Sequence, residues 1–87
     1  MVSQKTTIHN MTGLCLTPAS LFCKTAMQFQ CKITFCHKDI TANAKSILSV
    51  LGASIKRGDE IELLCEGNDE EEALKTMIHI IEDGLGE

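Results

Sequence analysis

Residues 12–19 read TGLCLTPA, and this stretch marks the change from a first strand to a first helix. Residues 10–13 break the preceding β-rich run at residues 5–9, and Gly13 is free to take a positive φ that other residues avoid. Pro18 fits the first turn of a helix, where its missing N–H costs nothing. Apolar side chains then recur at helical spacing. The segment therefore predicts a strand at residues 5–9 and a helix at about residues 16–29.

The next two segments have the pattern of a β-hairpin. In residues 32–37 the side chains of Ile33 and Phe35 point to one side of a strand, and the residues between them point to the other. Residues 38–39 form a short polar break, after which residues 40–43 can return as a paired strand. The alternation predicts a half-buried hairpin.

A short helix and a further strand follow the hairpin. Ser46 precedes an apolar cluster at residues 47–51, and Gly52 is suited to end a helix there. A helix this short is marginal alone and must be held by packing. Residues 60–66 alternate again, which predicts a fourth strand.

The last helix opens at residues 67–69, where Asn68 or Asp69 can cap its N-terminus, and it ends at Gly84. Strands that alternate in polarity bury one face of a sheet and leave the other in water. Three helices stacked on the buried face would close the core. The order βαββαβα therefore predicts a two-layer α+β domain that spans residues 1–87.

Composition excludes several functional classes. The chain has 87 residues, 44% of them hydrophobic, with three Phe and no Trp or Tyr. Its 8 Lys and Arg against 12 Asp and Glu give a net charge of −4, which argues against direct nucleic-acid binding. It has neither an apolar run of about 18 residues nor a signal-like N-terminus, so we expect a cytoplasmic protein without membrane insertion. The five cysteines are then expected to be reduced.

Residues 12–19 resemble the active-site segment of HPr, the histidine-containing carrier of the bacterial sugar phosphotransferase system, whose pattern reads T-G-L-H-A-R-P-A. Residues 43–47 resemble the regulatory serine segment of that family. Residues 56–61 and 69–74 match its closing strand and helix. The resemblance covers essentially the whole chain. It implies an open-faced β-sandwich, in which a four-stranded antiparallel sheet is covered on one face by three helices.

The sequence departs from the family at the acceptor site, as histidine-lacking, Crh-like members do. Cys15 stands at the position of the phosphate-accepting histidine, and Thr17 stands at that of the arginine that neutralises the phosphate. A thiol before a helix N-terminus is placed where an anion is stabilised. Cys15 is therefore interpreted as a phosphoryl acceptor, as a redox-sensitive thiol, or as an incidental replacement. No Lys or Arg lies within several residues in sequence to screen a phosphate there.

The resemblance also implies a regulatory site and partners. Ser46 corresponds to the serine that HPr kinase/phosphorylase phosphorylates, and the phosphoprotein would bind a LacI-type catabolite control repressor. The alternative is a phosphoryl carrier that receives phosphate from enzyme I at Cys15 and passes it to enzyme IIA. Either role is that of a carrier or regulatory protein without its own turnover or cofactor, as a monomer or a swapped dimer. The expected partner-binding surface consists of Leu16, Thr17, Ser20, Ile47, Leu48 and Leu51.

The remaining cysteines and histidines carry no predicted chemistry. The spacing of Cys31, Cys36 and His37 matches no standard zinc pattern, so we predict no metal site. Cys23 and Cys65 are expected to pack as small apolar side chains. The other two histidines, at positions 9 and 79, have no partner in sequence.

Overall fold

The computed structural model describes residues 1–86 and contains one antiparallel sheet with three helices. The strands are ordered β1-β4-β2-β3 across the sheet. Within the described residues, no helix has both the length and the apolar character needed to span a bilayer. The predicted α+β fold is confirmed. The elements are β1 (Val2–Thr7), α1 (Leu16–Met27), β2 (Lys32–His37), β3 (Ile40–Asn43), α2 (Ile47–Gly52), β4 (Glu60–Glu66) and α3 (Glu70–Glu82).

The core lies between the sheet and the helices. Alternate side chains of the two central strands are buried, as their pattern predicts: Ile33 and Phe35 in β2, and Ile61, Leu63 and Cys65 in β4. The ring of Phe22 from α1 meets that of Phe35 edge to face, with centroids 5.9 Å apart. Aromatic pairs prefer this geometry because the ring edge is positive and the face negative. The contact joins α1 to the sheet.

The predicted position of the first strand was wrong by several residues. β1 covers Val2–Thr7 because it pairs along its whole length with β4, from Val2 opposite Cys65 to Thr7 opposite Glu60. Ile8 has left the sheet, and its N–H donates to the carbonyl oxygen of Asp59 at 2.9 Å. Pairing with a distant strand, rather than local propensity, decides where an edge strand begins and ends.

Two helix ends also differ from expectation. α1 stops at Met27 instead of residue 29, because the N–H groups of Gln28 and Phe29 bond three residues back, to Thr25 and Ala26. Such tighter bonds are common in a last helical turn. Asp69 occupies the N-cap position of α3, but its side chain makes no cap bond within residues 1–86.

The Asp69 carboxylate instead accepts hydrogen bonds from the N–H groups of Gln30 and Cys31, each at 2.9 Å. It thereby ties the start of α3 to the connection between α1 and β2. At the other end of α3, Gly84 has a positive φ, and the Leu85 N–H donates to the Ile80 carbonyl oxygen at 2.9 Å. This is the Schellman arrangement that glycine permits, so the predicted stop at Gly84 is confirmed.

Candidate functional site

Cys15 is exposed and lies immediately before the first residue of α1. It has an extended backbone, and in the described chain its side chain makes no cap bond to the helix. The first N–H groups of any helix lack intrahelical partners, and the helix dipole makes that end positive. No acidic side chain occupies the first turn of α1. The thiol is therefore displayed at a helix end that favours anions.

A cleft of about 330 Å³ opens beside the thiol. Its lining combines the Cys15 segment with residues from the connection between α2 and β4: Thr12, Leu14, Cys15, Leu16, Leu51, Ser54, Ile55 and Lys56. No Lys or Arg lies close to Cys15 in sequence, but the fold brings Lys56 to the wall of this cleft.

Hydrogen bonds and a close backbone contact fix the residues that precede Cys15. The Leu14 N–H donates to the Ile55 carbonyl oxygen at 3.0 Å. Asn10 donates from Nδ2 to the Gly13 carbonyl oxygen at 2.6 Å and is itself buried. Gly13 has a φ of 65°, and a Cβ built there would lie 2.5 Å from the Ile55 oxygen. Glycine is therefore required at this position on two independent grounds, conformation and space.

Ser46 occupies the N-cap of α2 and is half-buried. Its Oγ accepts a hydrogen bond from the Ser49 N–H at 3.3 Å, and its carbonyl oxygen accepts one from the Val50 N–H at 3.0 Å. The predicted cap is confirmed. Because α2 has six residues, this cap and its packing against α1 hold it in place.

The apolar surface next to these two helix starts is narrower than predicted. Leu16 and Leu48 are 67% and 79% exposed, respectively. Ile47 and Leu51, expected on the same exposed patch, are half-buried and pack against the core. A helix face that must also cover the sheet cannot present every apolar side chain to solvent. We call the exposed pair, Leu16 and Leu48, the leucine patch.

The polar members of the predicted surface lie on α1. Thr17 is exposed in its first turn. Ser20 is half-buried, and its Oγ donates to the Leu16 carbonyl oxygen at 2.9 Å. Thr17 therefore offers a hydroxyl to solvent, whereas the hydroxyl hydrogen of Ser20 is used within the helix.

The other cysteines are placed largely as the sequence indicates. Cys23 is buried and donates to the Lys45 carbonyl oxygen at 3.0 Å. Burial, together with the neighbouring Asp69 carboxylate, raises the pKa of the Cys31 thiol to about 12. Burial also raises the pKa of the Cys65 thiol. Among residues 1–86, no three His, Cys, Asp or Glu side chains form a group that could hold a metal ion.

Sequence reasoning missed the role of His37. Its side chain is 4% exposed, and its Nε2 lies 2.9 Å from Oδ2 of Asp59. The signal was available in the alternation of β2, since His37 follows Ile33 and Phe35 on the inward face. Nothing in the sequence identified Asp59 as its partner, because the two residues come from different elements. His9 and His79 are exposed.

Comparison with known proteins agrees with this geometry. The family model for the PTS HPr component phosphorylation site matches residues 2–83. The HPr-like protein Crh of Halalkalibacterium halodurans is 41% identical over 83 residues, which cover 94% of this chain and 98% of that relative. The relative and the family model both span nearly the full chain.

Solved structures give the same result. HPr-C-His from Thermoanaerobacter tengcongensis has a TM-score of 0.97 and 38% identity, and the match covers 100% of this chain and 98% of that one. Crh of Bacillus subtilis has a TM-score of 0.77 and 32% identity, over 95% of each chain. That crystal structure is described as a dimer with a swapped domain.

Proposed function

This chain belongs to the HPr family of the phosphotransferase system, with Crh-like relatives, and we propose that it is a regulatory binding module controlled by phosphorylation of Ser46. One contrast supports the proposal. Cys15 and Thr17 replace the histidine and arginine of the family's acceptor pattern, whereas Ser46 still begins a helix beside an exposed apolar side chain. On this proposal the acceptor chemistry has changed and the regulatory segment has not.

Ser46 is well suited to carry a phosphate without refolding. Its Oγ already accepts a backbone N–H at the start of α2, and phosphate oxygens accept hydrogen bonds more strongly than a hydroxyl. No acidic side chain lies in the first turn of α2 to repel the added charge of about −1.5 to −2. The modification would therefore change the charge of the surface and leave the fold as it is.

The leucine patch is a surface at which the added charge would act on a docked partner. Leu16 and Leu48 present apolar area from two adjacent helices, which is the usual core of a small docking surface. A phosphate beside the patch would repel an acidic partner and attract a basic one. On this proposal the unmodified protein binds HPr kinase/phosphorylase in the cytoplasm, and the phosphoprotein binds a LacI-type catabolite control repressor.

The direct test is to incubate the protein with HPr kinase and ATP. We expect one phosphate on Ser46 and none on the Ser46→Ala variant. Ser49→Ala is the matched control, since Ser49 lies in the same short helix and contributes only its backbone N–H to the cap. Failure of the native protein to label, or labelling that survives Ser46→Ala, would reject the proposal.

Docking can be tested separately from modification. Leu48→Ala should weaken binding of the phosphoprotein to the repressor by about tenfold, as expected for loss of one central apolar contact. Ile40→Ala is the control, because Ile40 is also exposed but lies on the edge strand β3. Equal weakening by both variants would show that the leucine patch is not the docking surface.

A second function, phosphoryl transfer through Cys15, is favoured by one specific observation. The thiol is exposed in a cleft that also includes Lys56, a cation that could screen a phosphate in place of the missing arginine. The test is to supply phosphoenolpyruvate and enzyme I and to look for an acid-stable, iodine-labile phosphate. Its appearance on the native protein and loss in Cys15→Ser would establish a carrier that could serve enzyme IIA, and its absence would remove this function.

A further inference from the structure

The turn between α2 and β4 is tied to the interior by one buried side chain. His37 closes β2 on the inward face of the sheet, and its Nε2 donates to Oδ2 of Asp59 at 2.9 Å. A carboxylate can only accept, so Nε2 carries the hydrogen of this bond. The other ring nitrogen, Nδ1, is buried and has no hydrogen-bond partner within residues 1–86.

Packing alone does not account for an imidazole at this position. An apolar side chain would continue the inward row of Ile33 and Phe35 and would avoid burying a ring nitrogen that has no hydrogen-bond partner in the described residues, which costs stability. What distinguishes His37 from such a residue is its bond to Asp59. The role of the histidine therefore depends on the other hydrogen bonds that Asp59 makes.

Asp59 organises the turn in which it lies. The same Oδ2 that binds His37 also accepts the N–H of Lys56 at 3.0 Å, and the Asp59 N–H donates to the Lys56 carbonyl oxygen at 3.0 Å. These bonds lower the pKa of the Asp59 carboxyl, the Lys56 N–H contributing most and His37 next. The carboxylate therefore closes the turn at residues 56–59 and anchors it to β2.

The loop that leads to Cys15 is hydrogen-bonded to that turn. The carbonyl oxygen of Asp59 accepts the Ile8 N–H at 2.9 Å, and the Gly58 N–H donates to the Ile8 carbonyl oxygen at 2.8 Å. Farther along, the Leu14 N–H bonds to Ile55 at 3.0 Å. The loop that leads from β1 to Cys15 is thus bonded to the turn at one end and to Ile55, the residue before the turn, at the other.

The loop and the turn are in close backbone contact at Gly13. A Cβ at Gly13 would come within 2.5 Å of the Ile55 oxygen and 2.8 Å of the Lys56 Cα. Because the two backbones are this close and Leu14 is hydrogen-bonded to Ile55, we expect a displacement of the turn to move Gly13 and Leu14. Cys15 follows directly after them.

We propose that His37 and Asp59 form a brace that fixes the position of the Cys15 segment. They are positioning residues and do not touch whatever binds at residue 15. The chain of contacts runs from β2 through the Asp59 carboxylate to the turn, and from the turn through Leu14 to Cys15. The brace acts whether or not Ser46 is phosphorylated, so its test and the test of the Ser46 proposal can fail independently.

The test compares His37→Leu with His37→Gln, whose side-chain amide can again donate to Asp59. We expect His37→Leu to speed amide hydrogen exchange at Ile8 and Leu14 by about tenfold more than at Leu63, in the middle of β4. The rate at which iodoacetamide alkylates Cys15 should also change severalfold in this variant. His37→Gln should restore both values most of the way.

Ile81→Val in the core of α3 is the control for a general loss of stability, because Ile81 is fully buried far along the chain from the turn. It should speed exchange at Leu14 and Leu63 alike. If His37→Leu also affects these amides alike, or if His37→Gln behaves as His37→Leu does, the brace is rejected.

Should His37→Leu fail to fold, the surface side of the pair gives the same answer. Asp59 is partly exposed, and Asp59→Ala removes both bonds to its Oδ2, whereas Asp59→Asn keeps an oxygen that can accept them. We expect Asp59→Ala to speed amide hydrogen exchange at Ile8 and Leu14 more than at Leu63. We expect Asp59→Asn to exchange at near-native rates. Native-like exchange in Asp59→Ala would overturn the proposal.

Discussion

Two helices of this protein begin at residues that the family uses for chemistry, and the two starts are built differently. At α2, the Ser46 side chain accepts a hydrogen bond from the helix that it precedes. At α1, the Cys15 side chain makes no such bond in the described chain and projects into solvent. Ser46 is thus part of the local structure, whereas Cys15 is only displayed by it.

The difference follows from what holds each helix. α1 has 12 residues and packs against the sheet through buried side chains such as Phe22 and Ala26. α2 has six residues and one fully buried side chain, Val50, so it depends more on its cap. A residue that is not needed as a cap can be replaced at little cost to the fold. If Cys15 stands at the family's acceptor position, as we propose, this explains how imidazole can give way to a thiol while the structure around it persists.

The largest expected effect concerns the backbone that displays Cys15. Gly13→Ala forces a positive φ on alanine and places its Cβ against the Ile55 oxygen, so we expect a loss of about 3 kcal/mol in the free energy of unfolding. Gly58→Ala is the control, since Gly58 also has a positive φ but open space around its Cβ, and should cost about 1 kcal/mol. Urea denaturation would measure both losses. Equal losses would contradict the close backbone contact between Gly13 and Ile55.

The next effect compares the two starts directly. Ser46→Ala should lower the free energy of unfolding by about 1 kcal/mol, because the Ser49 N–H loses its partner. Cys15→Ala should change it by less than about 0.5 kcal/mol, as for most surface substitutions. Thermal or urea denaturation of the pair provides the measurement. A larger loss in Cys15→Ala than in Ser46→Ala would reverse the comparison.

A third substitution converts one kind of start into the other. Cys15→Asp supplies a side-chain acceptor and a negative charge at the N-terminus of α1, where the first turn has no acidic residue. We expect a gain of about 0.5 kcal/mol over Cys15→Ala. The gain should shrink in high salt, since part of it is electrostatic. A loss of stability relative to Cys15→Ala would mean that the N-terminus of α1 does not favour a negative charge at residue 15.

The smallest effect concerns the start of α3 and its dependence on pH. Hydrogen bonds from backbone N–H groups, that of Gln30 above all, lower the pKa of the Asp69 carboxyl. A group with a lowered pKa in the folded state stabilises the protein above its ordinary value of about 3.9, and this contribution is lost as the pH falls through the folded-state pKa.

Asp69→Asn removes the charge and one of the two acceptor oxygens, so the backbone N–H of either Gln30 or Cys31 loses its partner. Its melting temperature should therefore lie slightly below that of the native protein at pH 6, and the two should converge below about pH 3. Parallel melting curves from pH 6 to pH 2.5 provide the measurement. A difference that grows as the pH falls would contradict the assigned direction of the shift.

Much of the fold could be predicted from local pattern. The bounds of β2, β3 and β4 match those read from the sequence, because alternation along a half-buried strand is a local signal. The position of β1 could not be predicted, since its register depends on β4, more than fifty residues away in sequence by the pairing of Val2 with Cys65. Asp69 illustrates the same limit, because its hydrogen bonds go to the start of another element.

The candidate site divides in the same way. The position of Cys15 before α1 and the cap formed by Ser46 were predicted, since both depend on a helix start that the sequence marks. The presence of Lys56 in the Cys15 cleft and the bond between His37 and Asp59 were not, because each joins residues that only the tertiary fold brings together. A local motif identifies the residue that carries chemistry, and the distant residues that support it appear only in the fold.

The central claim is that regulation at Ser46 persists while histidine-type transfer at residue 15 has been lost. The most direct measurement is site-resolved mass spectrometry of the protein after exposure to HPr kinase with ATP and, in a parallel sample, to enzyme I with phosphoenolpyruvate. The account predicts one phosphate on Ser46 in the first sample and an unmodified Cys15 in the second. A phosphate on Cys15 in the second sample, with Ser46 unmodified in the first, would contradict it.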